Sequence, residues 1–208
     1  MALFLDSASP FDASIAAGLG FVRGVTTNPA LLRKVSGNPQ EIIAKLADCG
    51  LSQVFYQLCA ETPQERLAEA RAMLTVRKNI VALKIPCTSE NLALATKLAH
   101  DGATVGITAV FSPAQALVAC EAGVSFILPY VNRATTLLGD GLHLVNDIRR
   151  VVDETGSGTE IIAASIKSIN EAVDTLFAGA HHLTLPLALI QEMGENKFSQ
   201  QAILDFNL

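Results

Sequence analysis

One pattern recurs from end to end of this chain: a short apolar run is followed by a helix-start signal, an Ala/Leu-rich segment and often a glycine. Short apolar runs rich in β-branched and aromatic residues are typical of buried strands. Eight predicted strands alternating with helices indicate an α/β protein with an all-parallel sheet. The predicted strands are 3–6, 24–28, 54–58, 80–86, 104–108, 125–130, 161–165 and 182–186.

The number of repeats decides between two parallel architectures. Eight strand–helix repeats in 208 residues favour closure into a short (β/α)8 TIM barrel. A doubly wound open sheet is the alternative, but it usually carries a Gly-rich phosphate loop after an early strand, and this sequence has none there. We therefore predict the barrel.

Helix boundaries carry recognisable capping chemistry. Asn38 and Thr62 are each followed by proline and, two residues later, by glutamate, which predicts capping boxes. Ser112 and Ser168 begin related signals. Glycines in left-handed C-cap positions are predicted to end helices at Gly20, Gly50, Gly102, Gly123 and Gly179.

The chain has no low-complexity linker or shift in composition, so we expect a single barrel domain over 1–208. The segment 187–208 comes after the eighth predicted strand and is predicted to form an extra C-terminal helix. This tail has two interpretations: it caps the barrel, or it reaches a neighbouring subunit. Its apolar residues recur at helical spacing and are Leu189, Ile190, Met193, Phe198, Ile203, Leu204 and Phe206.

Composition excludes several classes of partner. The formal net charge is -5 and no Lys/Arg run is present, which argues against nucleic acid as the main partner. No apolar segment approaches the roughly 20 residues of a membrane helix, and no signal peptide is expected. Four cysteines without metal-like spacing predict reduced thiols in a cytoplasmic protein: Cys49, Cys59, Cys87 and Cys120.

Polar side chains stand at the ends of seven of the eight predicted strands, although the strands are otherwise apolar. The carboxyl ends of the strands are where barrel enzymes place their active sites. The repeated placement therefore predicts a site built from these residues: Asp6, Thr26, Asn28, Gln57, Lys84, Thr108, Tyr130, Arg133, Ser165 and Lys167.

Lys84 lies in the middle of the apolar run 79–88. Strand side chains alternate, so Lys84 faces opposite to Leu83 and Ile85 and is predicted to point into the barrel. Burial disfavours the ammonium form, and a neutral amine can attack a carbonyl to form a Schiff base. The alternative is a structural lysine whose stem is buried and whose ammonium pairs with a carboxylate.

The other strand-end residues suggest supporting roles. Asp6 is the only carboxylate at a predicted strand end and the first candidate to move protons, unless it merely pairs with Lys84. Gln57 and Tyr130 are candidates to hold a water molecule. Asn28, Thr26 and Thr108 could bind substrate hydroxyls or simply form hydrogen bonds with loop backbone.

Arg133, Ser165 and Lys167 form a separate cluster that suits a phosphate monoester. His181 and His182 lack a third metal ligand and are expected to be structural.

Three motifs together resemble the transaldolase family: 24–29 (GVTTNP), 83–88 (LKIPCT) and 163–167 (AASIK). The resemblance runs from about Asp6 to Pro186 in the family's order. It implies a (β/α)8 barrel, a Schiff-base mechanism and neither metal nor cofactor. It assigns Lys84 as the Schiff-base lysine and Asp6 as the acid–base carboxylate. Asn28, Thr108 and Ser165 match substrate-binding positions, and Arg133 and Lys167 match phosphate-binding positions.

Within the family, transaldolases resemble one another in having Glu at the position of Gln57 and Phe at that of Tyr130. The glutamine, the tyrosine and the segment 128–133 (LPYVNR) look like the fructose-6-phosphate aldolase branch. That branch implies reversible cleavage of fructose 6-phosphate into dihydroxyacetone and glyceraldehyde 3-phosphate. A transaldolase and a non-catalytic phosphosugar-binding barrel are the alternatives.

The resemblance also implies an assembly. The family forms homo-oligomers of five or ten subunits in which the C-terminal helix docks on a neighbour. Here the tail after Phe198 is shorter than is usual for the branch. The expected small-molecule partners are a sugar phosphate and a ketone of the dihydroxyacetone or hydroxyacetone type.

Overall fold

The computed structural model describes residues 1–206, in which eight parallel strands close into a barrel in sequence order, β1 to β8. The prediction of a (β/α)8 barrel is confirmed, with strand ends shifted by a few residues at most. The strands are β1 Ala2–Asp6, β2 Val22–Thr26, β3 Gln53–Gln57, β4 Val81–Pro86, β5 Val105–Val110, β6 Phe126–Pro129, β7 Glu160–Ala163 and β8 His182–Leu185.

Helices surround the barrel, and two of the strand–helix loops contain an additional helix, so that the helices outnumber the strands. Their bounds are α1 Pro10–Gly18, α2 Pro29–Leu32, α3 Pro39–Ala47, α4 Pro63–Val76, α5 Ser89–His100, α6 Pro113–Glu121, α7 Val131–Leu138, α8 Gly141–Thr155, α9 Ile169–Phe177, α10 Leu187–Glu192 and α11 Lys197–Phe206.

The predicted capping signals are in place. Asn38 and Thr62 form complete capping boxes with Glu41 and Glu65. The Ser112 and Ser168 side chains also accept hydrogen bonds from backbone N–H groups three residues later. The predicted helix-ending glycines all have positive φ. Helix starts are thus held by local bonds that the sequence encodes directly.

Strand alternation divides the apolar core into two parts. Outward-facing residues such as Leu83 and Ile85 pack beneath the helices. The barrel interior is filled separately, by the side chains of Phe4, Phe55, Ala82, Leu128 and Ile162. Ala82 and Lys84 share a strand face, so the predicted inward direction of Lys84 is confirmed.

Glycine makes room for the large interior side chains. A Cβ on Gly24 would lie 2.4 Å from the Gln53 carbonyl oxygen and 3.0 Å from the Phe4 ring. A Cβ on Gly106 would lie 2.6 Å from Leu128 Cδ1. Small residues on these strands therefore allow aromatic and leucine side chains from neighbouring strands to meet at the barrel axis.

The C-terminal tail is helical as predicted but forms two helices instead of one; its last two residues, 207–208, lie outside the described part. Ile190 of α10 is buried and α10 packs near β1. In contrast, α11 buries none of its residues, and Phe198 and Phe206 are 73% and 89% exposed. Within residues 1–206, no helix is both long enough and apolar enough to cross a membrane.

Candidate active site

A pocket of about 460 Å³ opens at the carboxyl ends of the strands. It is lined by eight of the ten residues that the sequence singled out: Asp6, Asn28, Gln57, Lys84, Tyr130, Arg133, Ser165 and Lys167. Parallel strands all end on the same side of a barrel, so residues far apart in sequence converge there. Thr26 and Thr108 do not line the pocket; they are 1% and 0% exposed and lie behind its wall.

Lys84 lies in this pocket with only 3% of its surface exposed. Its Nζ donates a hydrogen bond to the Thr27 carbonyl oxygen at 2.8 Å. Burial lowers the lysine pKa to about 8, against a smaller opposing effect of the Asp6 charge. Roughly a tenth of the amine is therefore neutral at pH 7, which is a usable fraction for a nucleophile.

Asp6, at the end of β1, is not an ion-pair partner of Lys84 within 4.0 Å in the described chain. Its Oδ1 accepts a hydrogen bond from Thr26 Oγ1 at 3.2 Å. Burial raises the pKa of this carboxyl, while the Lys84 charge, the Thr26 bond and the Lys167 charge act in the opposite direction. A buried carboxyl whose pKa is raised holds a proton more readily than an exposed aspartate, which suits a group that exchanges protons.

Gln57, on strand β3, and Tyr130, at the end of β6, line the same pocket as the lysine. Gln57 is the register partner of Lys84, and its buried Oε1 has no hydrogen-bond partner in the described chain. The Tyr130 hydroxyl accepts a hydrogen bond from Thr108 Oγ1 at 2.9 Å. Burial raises the pKa of the phenol. A glutamine whose amide oxygen is unpaired and a phenol, both in residues that line one pocket, suit the binding of a water molecule or a substrate hydroxyl.

A β-bulge sets the position of Thr108. The register of β5 against β6 shifts between Thr108 and Val110, and Ala109 between them has a φ of 57°. Bulges at strand ends redirect neighbouring side chains and are common beside active sites. The bulge therefore helps to bring the Thr108 hydroxyl to Tyr130.

Cations line one part of the pocket without carboxylate partners in ion pairs among residues 1–206. Arg133 lies over the Tyr130 ring, 5.2 Å from its centroid. Lys167 is exposed beside Ser165, which has a φ of 62°. Arg33, which follows α2, also lines the pocket and was missed in the sequence, although it lies just beyond the 24–29 motif. Unpaired cations in a protein of net charge -5 favour an anionic ligand at this site.

Glu171 of α9 is a second residue that the sequence analysis missed. It forms hydrogen bonds with both segments that carry the pocket cations Arg133 and Lys167. Its Oε2 accepts from the Lys167 backbone N–H at 2.6 Å and its Oε1 from Asn132 Nδ2 at 3.3 Å. The Asn132 backbone N–H in turn donates to the Ser165 carbonyl oxygen at 3.1 Å. These bonds hold the β6–α7 and β7–α9 segments side by side, an arrangement that sequence spacing alone does not disclose.

The histidine pair lies near the amino ends of the strands, away from the pocket. His182 Nε2 is 3.0 Å from Glu160 Oε2, and the His182 ring packs edge-on against Phe4. His181 Nδ1 accepts from the Ile161 backbone N–H at 3.0 Å. Among residues 1–206, no group of three or more His, Cys, Asp or Glu side chains is placed to hold a metal ion.

The fold and pocket together define a (β/α)8-barrel protein with a buried lysine, a carboxyl group and unpaired cations at the carboxyl ends of its strands. The family model described as transaldolase/fructose-6-phosphate aldolase matches residues 3–206. The chain belongs to this family of enzymes, as the sequence motifs predicted.

Proteins of similar sequence match this chain along nearly its whole length. A probable transaldolase from Ruegeria sp. is 35% identical over 203 residues, covering 98% of this chain and 93% of the relative. A probable transaldolase from Lactiplantibacillus plantarum is 34% identical, covering 99% and 94%. Among solved structures, a mandelate oxidase variant has a TM-score of 0.63 at 18% identity, over 90% of this chain and 64% of the other. That likeness concerns the barrel fold alone.

Proposed function

We propose that this protein is a class I aldolase that reversibly cleaves fructose 6-phosphate into dihydroxyacetone and glyceraldehyde 3-phosphate. Membership of the family supports aldol chemistry on sugar phosphates. The observation that carries the choice of aldolase is the Tyr130 hydroxyl, which is in the pocket with Lys84 and bonded to Thr108. The proposal needs no metal or cofactor.

The first step is attack of the neutral Lys84 amine on the ketone carbon of the sugar. The carbinolamine that forms loses water to give an iminium ion, and Gln57 and Tyr130 are proposed to hold that water. The low pKa of about 8 supports this role because it supplies free amine near neutral pH.

The second step breaks a carbon–carbon bond. Asp6 removes the proton from the hydroxyl on the carbon two positions from the iminium carbon. The bond between that hydroxyl-bearing carbon and the carbon next to the iminium carbon breaks, its electrons pass to the iminium, and the hydroxyl-bearing carbon leaves as an aldehyde. An enamine of the three-carbon ketone remains on Lys84. Asn28 and Ser165 are proposed to bind hydroxyls, and Arg133 and Lys167 the phosphate of the aldehyde half.

The fate of the enamine separates an aldolase from a transaldolase. A proton delivered to the enamine carbon, directly by Tyr130 or through a water it holds, allows hydrolysis and release of dihydroxyacetone. With phenylalanine at this position the enamine would persist until a second aldehyde arrives. The names of the relatives favour transaldolase, which is therefore the second candidate.

The Schiff base is tested by borohydride reduction in the presence of dihydroxyacetone, followed by peptide mass mapping. We expect one three-carbon adduct on Lys84, its loss in Lys84→Met, and its retention in Lys97→Met, which changes an exposed helix lysine. A protein that binds fructose 6-phosphate but forms no adduct would be a non-catalytic sugar-phosphate binder.

The branch is tested by product analysis of Tyr130→Phe. We expect release of free dihydroxyacetone to fall on the order of tenfold while transfer to an added acceptor aldehyde rises. An unchanged ratio of cleavage to transfer would contradict the assignment of Tyr130 and favour the transaldolase.

Two further properties are proposed with the activity. The protein is cytoplasmic, which its four free cysteines support, because reduced thiols persist in a reducing compartment. It also forms a homo-oligomer, which the exposed apolar residues of α11 support.

A further inference from the structure

Thr184 of β8 is a buried polar residue to which the proposed mechanism gives no role. Its Oγ1 lies 2.7 Å from Thr26 Oγ1, and Thr26 Oγ1 lies 3.2 Å from Asp6 Oδ1. Both threonines are 1% exposed. Strands β8 and β2 flank β1, so a row of hydroxyls crosses inside the barrel from β8 to the Asp6 carboxyl.

Counting protons fixes the direction of these hydrogen bonds. An ionised carboxylate only accepts, so the single hydroxyl proton of Thr26 is used in its bond to Asp6. Thr26 Oγ1 can then offer only a lone pair to Thr184, which makes Thr184 the donor. Within residues 1–206 neither hydroxyl has another hydrogen-bond partner, so this order follows from the bonds that are present.

We propose that Thr184 is a positioning residue for Asp6. By donating to Thr26, it keeps the Thr26 proton directed at Oδ1 of the carboxylate. Oδ2 makes no hydrogen bond to the described chain and is left as the oxygen that exchanges a proton with the substrate. The inference rests on the proposed function, because it assumes that Asp6 is the acid–base group.

The groups around Asp6 explain why the Thr184–Thr26 hydrogen bond should affect the pKa of this carboxyl. Lys84 from β4 and Lys167 from the β7–α9 segment favour the carboxylate, whereas burial disfavours it. Tyr130 lines the same pocket, and because its pKa is raised the phenol stays uncharged there. Gln57 on β3 carries no charge. The two threonines are the neutral groups that support the charged carboxyl, and hydrogen bonds in such a row strengthen one another. Loss of the Thr184 hydroxyl should therefore raise the pKa of Asp6.

The first test follows the Asp6 titration by carbon-13 NMR of the side-chain carboxyl in ligand-free protein, with the signal assigned through Asp6→Asn. We expect Thr184→Val to move the titration to higher pH, Thr26→Val to move it further, and Thr184→Ser to restore the wild-type curve. A titration unchanged in Thr184→Val would overturn the proposal. Thr184→Ala repeats the measurement if the valine variant does not fold.

The second test is the pH dependence of fructose 6-phosphate cleavage. In Thr184→Val the acidic limb of the pH profile of kcat should move to higher pH. At pH values on that limb, kcat should be about fivefold lower than in the wild type, whereas KM should stay within about twofold of the wild-type value. A uniform loss of kcat at all pH values would indicate a merely structural role. If the wild type forms no Lys84 adduct, the proposed function fails, whereas the NMR titration still decides the role of Thr184.

Discussion

At the scale of single residues, Lys84 has the clearest physical signature, because a cation that is 3% exposed costs stability. Below pH about 8 the lysine is charged in the folded and unfolded chains, and the full cost of burial is present. Above 10.5 it is neutral in both. In between, the unfolded chain binds more protons at this site, so the stability of the folded state should rise with pH.

Lys84→Met should therefore be inactive yet more stable than the wild type at pH 7. The difference in pKa corresponds to roughly 3 kcal/mol, of which about 1 kcal/mol is offset by the lost bond to the Thr27 carbonyl. We expect a net gain of about 2 kcal/mol in urea unfolding that shrinks as pH rises from 8 towards 10.5. A variant less stable than the wild type at pH 7 would show that the lysine is a structural residue.

At the scale of elements, the barrel depends on small residues where neighbouring strands send large side chains inward. Gly24 of β2 is the tightest case on the lysine's side of the sheet, because a Cβ there would meet a backbone carbonyl oxygen as well as an aromatic ring. Backbone cannot move aside as a flexible side chain can. The requirement for glycine thus comes from packing across strands and not from an unusual φ.

Gly24→Ala should destabilise the fold by about 2 kcal/mol through overpacking. Gly18→Ala is the matched control, because nothing lies within 4 Å of a Cβ placed at the end of α1. Denaturant unfolding of both variants measures the difference. Equal midpoints for the two variants would mean that the barrel interior adjusts to an extra methyl group.

At the scale of the whole molecule, contacts within a single chain do not explain why α11 is helical. Helix formation in water is marginal for ten residues without tertiary packing, and α11 buries no residue of its own. It nevertheless exposes Phe198, Ile203, Leu204 and Phe206. A second copy of the chain would supply the missing contact and remove this apolar surface from water.

Removal of residues 195–208 should therefore convert an oligomer into monomers while the barrel stays folded. Light scattering after gel filtration would measure the mass, and circular dichroism and thermal unfolding would report the fold. Phe198→Glu combined with Ile203→Glu should act in the same direction without shortening the chain. A monomeric wild type would contradict the prediction.

The sequence by itself determined the order of the eight strands and of the main helices between them, because strand alternation, capping boxes and helix-ending glycines are local signals; it did not disclose α2, α7 or the division of the tail into α10 and α11. It also determined eight residues of the pocket, since parallel strands end on one side of a barrel. Only the tertiary structure decided that Thr26 and Thr108 stand behind the pocket wall, that Arg33 lines the pocket, that Glu171 bonds to two segments beside it and that Thr184 contacts Thr26. The direction of a side chain beyond its strand face depends on contacts with neighbouring strands, which are distant in sequence and leave no local pattern.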